Sequence, residues 1–548
     1  MTHDERLRIV FRYHDGTKHD FNQLARSLGY LDWASQPAPF RSFRGAPAIS
    51  FARGERADVP QGTFDGLFRR GRQPAAPLTF ATLGSFLRYA LGLSAWKSYR
   101  GSRWSLRVNP SSGNLHPTEA YIVAGPLPPH SDRPAVWHYA ADRHAIELRC
   151  TFDADAWRAR QAGGGAGSFL IVLTSIHWRE SWKYGERAFR YCQHDTGHAI
   201  GALSLSAALH GWHAALLPAW PHDAVAALAG VDRVDDFFEA ELEEPACVIG
   251  IGSTWRGDSV KEVDRRLIEA VRRGKWSGRA SQLSEDHVQW TFIDEIAEAT
   301  RDPGRTILLS PTERSMSGDG GNLDAHGADR NLDAAGILLQ RRSAVAFDPS
   351  GWISREPFLQ LMKAALPGAY APWDAVWWPP RIHLAIFVHR VTGVDPGLYM
   401  LARCADAVAR LKAACRHDFS WTPLEDGLPL WLLRRGDYQF RAQRVSCDQD
   451  IAGDGFFSLG MIAEFEASVR RDGAAFYRQL FWESGVVGQV LYLEAEAAGA
   501  RATGIGCFYD DPVHELLGLE GHAFQSLYHF TVGRPIEDMR LTTEPGYR

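Results

Sequence analysis

The sequence contains no long apolar run. No window offers the roughly eighteen apolar residues that a membrane span requires, and Met1–Arg6 does not begin the apolar stretch of a signal peptide. We therefore expect a cytoplasmic protein without membrane contact. A strong charge of one sign is also missing, since the formal net charge is −5. The overall charge thus gives no indication of a nucleic-acid partner.

Cysteine is scarce, with seven residues in a chain of 548. Their number is odd and no two form a C-x-x-C pair, which is typical of reduced, mostly buried thiols in a cytoplasmic protein. They are Cys150, Cys192, Cys247, Cys404, Cys415, Cys447 and Cys507. Tryptophan, by contrast, is abundant at 19 residues, which indicates large aromatic packing surfaces or a flat ligand. With 45% apolar and 23% charged residues, the chain has the composition of a globular protein.

The chain contains an internal repeat. Residues 185–230 align with residues 473–518 without a gap, and 12 of the 46 aligned positions are identical. Chance alone predicts roughly three or four identities in a segment so rich in alanine, leucine and glycine. The long period predicts two copies of a whole domain. The identities include Gly185/Gly473, Gly197/Gly485, Gly211/Gly499, Gly230/Gly518 and Asp223/Asp511, and Asp195/Glu483 is a conservative match.

The two copies have the same predicted elements: a long helix, a short helix and a strand that ends in glycine. The long helices, predicted at Thr196–Gly211 and Ser484–Gly499, carry closely spaced small residues. These residues fit two copies docked through their long helices, and tight helix–sheet packing explains them equally well. We predict an α+β fold in which tandem domains, each a mixed sheet flanked by helices, form an intramolecular pseudo-dimer. The predicted divisions are an N-terminal extension (1–64), copy one (65–252), a connector (253–335) with a glycine cluster at 315–321, and copy two (336–548).

Three segments carry candidate chemistry. The loop Asn109–Pro117 offers backbone amides, two hydroxyls and a side-chain amide that can bind the polar edge of a planar heterocycle, or it is only a capping loop. In Arg341–Asp348, an arginine pair followed by a serine fits phosphate recognition, or it is a solvated basic helix end. In the adjacent pair Lys183 and Tyr184, the lysine can lower the pKa of the phenol and create a general base, although neighbours on a helix point in different directions.

Together these motifs resemble the nitroreductase superfamily of FMN-dependent oxidoreductases, and in particular its SagB-type branch, which includes azoline dehydrogenases. The resemblance covers roughly residues 65–252 and 338–548. Its motifs are Pro110–Pro117, the Arg-x-Ser-x-x-x-Phe-Asp run at 341–348, Gly504-Ile505-Gly506-Cys507-Phe508, Leu516–Leu519 and Val532-Gly533-Arg534-Pro535. Position 345 is valine where many members of the superfamily have a basic residue. The charge of the FMN phosphate would therefore be neutralised by Arg341, Arg342 and a C-terminal arginine, Arg540 or Arg548.

The resemblance implies FMN sites at an interface to which both copies contribute. One complete site would combine the serine loop of copy one with the Arg-x-Ser start and glycine loop of copy two. The implied cofactor-binding residues are Ser111, Ser112, Asn114, Arg341, Arg342, Ser343, Gly504, Ile505, Gly506 and Arg548. Backbone donors near Gly504–Gly506 or at Ser112 would stabilise negative charge on the flavin.

The reciprocal site is expected to be lost. Its Arg-x-Ser counterpart is Arg69-Arg70-Gly71, without the serine, and its serine loop has become Ala371–Ala375. Trp377 and Trp378 could fill the vacated position. We therefore expect one FMN per chain.

The expected catalytic pair is Lys183 and Tyr184, because azoline dehydrogenases carry an adjacent Lys-Tyr. The expected reaction is a two-electron dehydrogenation of a small molecule or a peptide-derived, azoline-like substrate. Tyr184, acidified by Lys183, would remove a proton, and hydride would pass to flavin N5. Oxygen or a nicotinamide is the expected redox partner. The protein is expected to be a monomer with an internal pseudo-dimer or a homo-oligomer.

Other functions remain open at this stage. An NAD(P)H-dependent nitro or quinone reductase would use the same pocket, and a non-catalytic flavin-binding or interaction protein would keep only the fold.

His194 and His198 have the i, i+4 spacing of zinc hydrolases. Gly197 lies inside that motif, and copy two has Trp482 and Val486 at the two histidine positions. We therefore expect core histidines and no metal.

Overall fold

The computed structural model describes residues 1–53, 61–69, 73–162, 167–253, 262–305 and 330–547. The glycine cluster at 315–321 lies outside the described residues. The helices are α1 (His3–Gly16), α2 (Phe80–Ala90), α3 (Ala154–Arg160), α4 (His177–Tyr184), α5 (Ala188–Leu209), α6 (His222–Ala229), α7 (Arg265–Arg272), α8 (Thr291–Ala299), α9 (Ala334–Gln340), α10 (Arg355–Ala364), α11 (Ala407–Ala414), α12 (Gln439–Val445), α13 (Ile451–Asp454), α14 (Phe465–Asp472), α15 (Phe476–Ala497) and α16 (Asp510–Leu517).

The strands are β1 (Phe43–Arg44), β2 (Ala48–Ser50), β3 (Leu93–Tyr99), β4 (Ser102–Arg107), β5 (Thr118–Ala124), β6 (Ala135–Ala140), β7 (Ala145–Thr151), β8 (Ser168–Ser175), β9 (His213–Leu216), β10 (Glu244–Gly252), β11 (Lys275–Trp276), β12 (Arg279–Ala280), β13 (Ile353–Ser354), β14 (Ile382–Val388), β15 (Val391–Thr392), β16 (Gly397–Leu401), β17 (Thr422–Pro423), β18 (Leu430–Arg435), β19 (Phe457–Glu464), β20 (Arg501–Ile505), β21 (Phe524–Gly533) and β22 (Thr542–Pro545).

The repeat is reproduced in three dimensions. Helices α4, α5 and α6 of copy one and α14, α15 and α16 of copy two begin and end at positions separated by the offset of the sequence repeat. The short helices α6 and α16 end at Gly230 and Gly518, whose φ angles of 71° and 77° are left-handed and therefore favour glycine. The long helices begin earlier than predicted, because the nearest upstream breaks are Gly185 and Gly473, with φ angles of 56° and 84°.

Each copy is built on an antiparallel sheet whose faces are covered by helices. The first sheet has the strand order β11-β7-β6-β5-β8-β10-β9, with β2 added beside β7, and the second has the order β17-β18-β16-β14-β19-β21-β20. In both sheets the last long strand, β10 or β21, pairs with the strand before it in the chain, β9 or β20, which forms one edge of the sheet. A parallel bridge between Ser343 and Ala502 extends the second sheet, which is therefore mixed at this edge.

The two copies dock through their long helices α5 and α15, as one of the two interpretations of the small residues predicted. A Cβ on Gly197 would lie 2.3 Å from the Trp482 carbonyl oxygen, and a Cβ on Gly485 would lie 2.3 Å from the His194 carbonyl oxygen. Real Cβ atoms do not approach so closely. Glycine at both positions thus lets the two backbones touch at the crossing.

The chain termini extend beyond the copies. Helix α1 packs on copy two, where His14 Nε2 lies 2.9 Å from Gln525 Oε1. Strand β22 returns to copy one and pairs with β3, and the buried Tyr547 hydroxyl accepts the Leu93 amide at 2.8 Å. In the described part of the chain, no helix combines the length and the apolar character needed to span a membrane.

Candidate functional site

A cavity of about 360 Å³ lies between the two copies, at the end of the α5–α15 interface. We call it the composite cavity, because copy one supplies the Asn109–Asn114 loop and copy two supplies Arg341–Val345 and Thr503–Cys507. The structure brings together all the predicted cofactor-binding residues except Arg548, which lies outside the described residues. The remaining lining side chains are Leu106, Arg107, His116, Tyr184, Tyr191, His198, Gln449, Tyr492 and Tyr528.

The serine loop is held by its own polar groups. Asp195 on α5 accepts the Ser112 amide at 3.0 Å and the Ser112 hydroxyl at 3.2 Å. The Ser111 hydroxyl accepts the His116 amide at 2.8 Å, and the Asn114 side-chain amide donates to the Ser105 carbonyl at 2.9 Å. These groups shape the loop, so the predicted Ser112 backbone donor is already engaged by the protein.

Arg341 is buried and Arg342 is half-buried, and neither forms an ion pair with a carboxylate of the described residues, although the charge of Glu496 acts on both. Arg341 is 4% exposed and donates to the Arg107 carbonyl at 2.9 Å, while its Nε has no partner in the described structure. Arg342 donates to backbone carbonyls, including that of Ser94 at 3.1 Å. Burial lowers the pKa of both guanidinium groups, that of Arg342 to about 10 with a further contribution from Arg341. A buried and a half-buried cation that donate only to carbonyl oxygens favour an anion in the cavity.

The glycine loop lies against tyrosines rather than in open space. The Tyr492 hydroxyl joins both copy-two motifs, since it accepts the Gly504 amide at 2.8 Å and lies 3.0 Å from the Ser343 hydroxyl. A Cβ on Gly504 would lie 1.9 Å from the Tyr528 hydroxyl, and a Cβ on Gly506 would lie 2.2 Å from the Tyr191 ring of copy one. Glycine is therefore required here for close approach. The predicted Gly504 donor is, like that of Ser112, already engaged.

Lys183 and Tyr184 meet at the serine loop. A Cβ on Gly113 would lie 2.7 Å from the Tyr184 hydroxyl and 3.3 Å from Lys183 Nζ. Lys183 is exposed, and its Nζ lies 5.1 Å from the centre of the Tyr184 ring. Burial raises the pKa of the Tyr184 phenol well above its usual value, and the carboxyl groups of Glu180 and Asp195 raise it further. Burial and the two acids thus oppose the predicted acidification of this phenol by the exposed Lys183.

Two carboxyl groups behind the loop escaped the sequence analysis. Burial raises the pKa of Asp195 to about 7, although hydrogen bonds from Ser111 and Ser112 oppose the shift. Burial and the neighbouring Asp195 also raise the pKa of Glu180 well above its usual value. The Asp195/Glu483 match of the repeat indicated an acid at this place. Nothing in the repeat indicated Glu180, because the equivalent position in copy two is Ser468. The pair can hold a proton beside Tyr184 near neutral pH.

The reciprocal position has almost no space. Arg69, Ala371 and Asp374 line a cavity of only about 60 Å³, and Arg70 and Gly71 lie outside the described residues. Glu483, the counterpart of Asp195, has a structural role. Its carboxylate accepts the Trp378 indole N–H at 3.1 Å and forms a buried ion pair with Arg403.

The two tryptophans do not fill the vacated position. Trp378 packs on Phe476, with ring centres 5.9 Å apart, and Trp377 lies over Arg305. Neither lines the small cavity in the described part of the chain. Their contacts instead support the loop that Glu483 holds.

The histidines of the hydrolase-like motif belong to the helix interface. His194 stacks on Tyr528 with ring centres 4.1 Å apart, and His198 Nε2 lies 3.2 Å from the Tyr528 hydroxyl. Burial lowers the pKa of both imidazoles, that of His198 to about 3. These neutral rings pack against an aromatic side chain, and His198 adds a polar atom to the cavity wall.

Comparisons with known proteins agree with this architecture. The Nitroreductase family profile matches the chain twice, over residues 74–253 and 338–534, which is more than half of its length. A nitroreductase-like protein from Anabaena variabilis has the same fold, with a TM-score of 0.67 at 21% identity over 96% of this chain and 99% of that chain. A shorter one from Ralstonia eutropha gives a TM-score of 0.27 at 16% identity, over 41% of this chain and 96% of that chain. The E. coli microcin synthetase McbBCD complex gives 0.26 at 19% identity, over 46% of this chain and 95% of that chain. No curated protein sequence matches significantly. On the strength of the two profile matches, the chain belongs to the nitroreductase family.

Proposed function

We propose that the chain is an FMN-dependent oxidoreductase that holds one FMN in the composite cavity. The observation that carries this proposal is the arginine pair, the buried Arg341 and the half-buried Arg342, which forms no ion pair with a carboxylate of the described residues and lines a cavity built by both copies. A phosphate group supplies the missing charge and matches the guanidinium geometry. The cavity volume of about 360 Å³ lies within the usual range of roughly 300–1,000 Å³ for cofactor pockets.

Further features fit a flavin. Tyr191, Tyr528 and His198 offer ring faces and edges for a planar heterocycle. The buried Asn109 Oδ1 and His198 Nδ1 have no hydrogen-bond partner in the described structure, so polar edge atoms of a ligand would find partners there. The small volume of the reciprocal cavity supports a stoichiometry of one FMN per chain.

Bound FMN would supply reversible two-electron chemistry by accepting hydride at its N5 atom. For the chain itself, we propose that Tyr184 and Lys183 manage the substrate proton in the dehydrogenation of a small molecule or a peptide-derived, azoline-like compound. The Tyr184 hydroxyl has no hydrogen-bond partner among the described residues and is free to bind substrate. Because negative charge on Asp195 opposes a phenolate, the phenolate form of Tyr184, which is the form that can remove a proton, is easier to reach when Asp195 is protonated.

The raised pKa of Tyr184 favours a second candidate, the NAD(P)H-dependent reduction of a nitro compound or quinone. In that direction the site must donate protons rather than remove one. A neutral phenol at Tyr184 and a protonated Asp195 are suited to donation at neutral pH. Both candidates use the same cavity and differ in the role of Tyr184.

The first experiment is a visible absorption spectrum of the purified chain, with the released flavin quantified per chain. We expect one FMN per chain, and two would contradict the assignment of the reciprocal cavity. Failure to bind FMN after reconstitution would overturn the proposed function and leave a non-catalytic role.

The arginine assignment is tested by the preference for FMN over riboflavin, which lacks the phosphate. Arg342→Met should reduce this preference at least tenfold, whereas the exposed control Arg471→Met should keep it. An unchanged preference in Arg342→Met would refute the phosphate role of the pair.

The direction of reaction is tested with Tyr184→Phe in the FMN-loaded protein. Loss of substrate oxidation with intact flavin binding would support dehydrogenation. Fast bleaching of the flavin by NAD(P)H and retained reduction of a quinone would instead support the reductase candidate.

A further inference from the structure

Three distant segments bring a histidine and two cysteines together beside the composite cavity. Cys447 follows α12, Cys507 follows β20, and His19 follows α1 of the N-terminal extension. The two sulfur atoms lie 2.9 Å apart although the residues are 60 positions apart in sequence. His19 Nδ1 lies 3.7 Å from Cys507 Sγ. The chain thus contains a close dithiol that its cysteine spacing did not reveal.

The contacts of the pair divide the two cysteines into a nucleophile and a partner. The hydrogen bond between the two sulfur atoms, together with His19 and Arg187, lowers the pKa of Cys507 to about 5, against the effect of burial. The same hydrogen bond raises the pKa of Cys447, which therefore keeps the shared proton. A thiolate beside a protonated thiol is the arrangement found in reactive dithiols.

The remaining cysteines differ in their surroundings. Burial raises the pKa of Cys150 and Cys415 to about 12 and also raises that of Cys192 and Cys247. These four are buried, whereas Cys447 and Cys507 are partly exposed. Cys404 is partly exposed but has no second cysteine beside it, and it offers a matched control.

The surrounding structure holds the dithiol in place. The Gln449 side chain donates to the Cys507 carbonyl at 3.1 Å and to the Ser446 carbonyl at 2.8 Å, which ties the two cysteine segments together. Asp510 accepts the His19 amide at 2.9 Å and fixes the third segment. Cys507 and Gln449 both line the composite cavity. A change in the sulfur–sulfur bond would therefore act on the cavity wall.

We propose that Cys447 and Cys507 form a redox-active dithiol that a small-molecule disulfide converts into a Cys447–Cys507 disulfide. The Cys507 thiolate attacks one sulfur of the small disulfide, whose S–S bond breaks and releases one thiolate. The Cys447 thiol gives its proton to that thiolate and its sulfur attacks Cys507, which releases the second thiolate, and water protonates this thiolate. Two cysteines are oxidised and one disulfide is reduced to two thiols, so no other oxidant is needed.

The test uses the full chain as purified and does not depend on flavin binding. The protein is treated with glutathione disulfide under native conditions, quenched with acid, alkylated and digested for mass spectrometry. We expect two alkylatable thiols to be lost, a peptide in which Cys447 is linked to Cys507, and full recovery of both thiols after reduction. Continued alkylation of both cysteines, or a disulfide between other cysteines, would overturn the proposal.

Single variants separate the roles of the two sulfurs. Cys447→Ser should accumulate one glutathione on Cys507, because the resolving thiol is missing, and Cys507→Ser should accumulate at least tenfold less on Cys447. Cys404→Ser should behave as the wild type. If bound zinc copurifies, is lost in His19→Asn and blocks disulfide formation in the wild type, the cluster is a metal site and the dithiol proposal is wrong.

Discussion

The crossing of α5 and α15 leads to a quantitative prediction for Gly485→Ala. Alanine is intrinsically favoured over glycine inside a helix by about 1 kcal/mol. Here its Cβ would lie 2.3 Å from the His194 carbonyl oxygen and 2.7 Å from the Gly197 Cα and the His198 amide nitrogen. All three atoms are backbone and cannot rotate away. The two helices must therefore separate by about 1 Å, which weakens contacts along the whole crossing.

Overpacking of this kind typically costs about 1–3 kcal/mol, and more where backbone must move. Because two long buried helices separate together, we expect a net loss of about 3 kcal/mol in the free energy of unfolding. Gly201→Ala is the matched control on α5, since its nearest neighbours are side-chain atoms of Gln489 at 3.0 and 3.1 Å. These can shift, and we expect a change within about 1 kcal/mol.

Urea unfolding followed by tryptophan fluorescence measures both variants against the wild type. The composite cavity gives a second readout, since its two walls belong to different copies, and helix separation should also lower FMN retention in Gly485→Ala. If Gly485→Ala were as stable as Gly201→Ala and retained the same flavin, the inferred backbone contact between the copies would be refuted.

Three further predictions concern buried polar groups. The pKa of Asp195 is about 7 in the fold against a usual 3.8, so the native state binds this proton more tightly and stability should fall by up to the order of 4 kcal/mol as pH rises from about 4 to 7. Asp195→Asn should flatten this part of the stability–pH profile, and an unchanged profile would assign the proton elsewhere. Tyr547→Phe removes the hydrogen bonds of a fully buried hydroxyl and should lower the unfolding free energy by about 2 kcal/mol, measured by urea denaturation. Glu483→Gln leaves Arg403 as an unpaired buried cation and should cost about 3–5 kcal/mol, whereas Glu466→Gln at an exposed pair should cost less than about 1 kcal/mol in the same assay.

The sequence predicted the duplicated fold because its signal is local and repeated. Gly185 and Gly473 interrupt the helices at equivalent positions, and the apolar periodicity between such breaks sets each element. The resemblance to the nitroreductase superfamily, applied to the two copies, predicted which copy supplies each wall of the composite cavity. The helix starts at Ala188 and Phe476 were missed, because no strong capping residue marks them.

The chemistry of the site was harder to predict from the sequence, because it depends on contacts between residues that are far apart in the chain. Glu180 and Asp195 influence Tyr184 only once α4, α5 and the serine loop pack together, and the burial of Tyr184 and these two acids oppose the expected effect of Lys183. The proximity of Cys447 and Cys507 depends likewise on the folding of copy two. A residue pattern shows which groups are present, while their burial and neighbours determine their protonation.

The fusion of both copies into one chain also changes how the composite cavity responds to dilution. In an assembly of separate subunits, a shared site disappears when the protein concentration falls below the dissociation constant of the subunits. Here the covalent link between the copies keeps the two walls at an effective concentration that does not depend on dilution. Substitutions in one copy are also not forced on the other, so Glu483 could become a structural acid while Asp195 kept its titratable position.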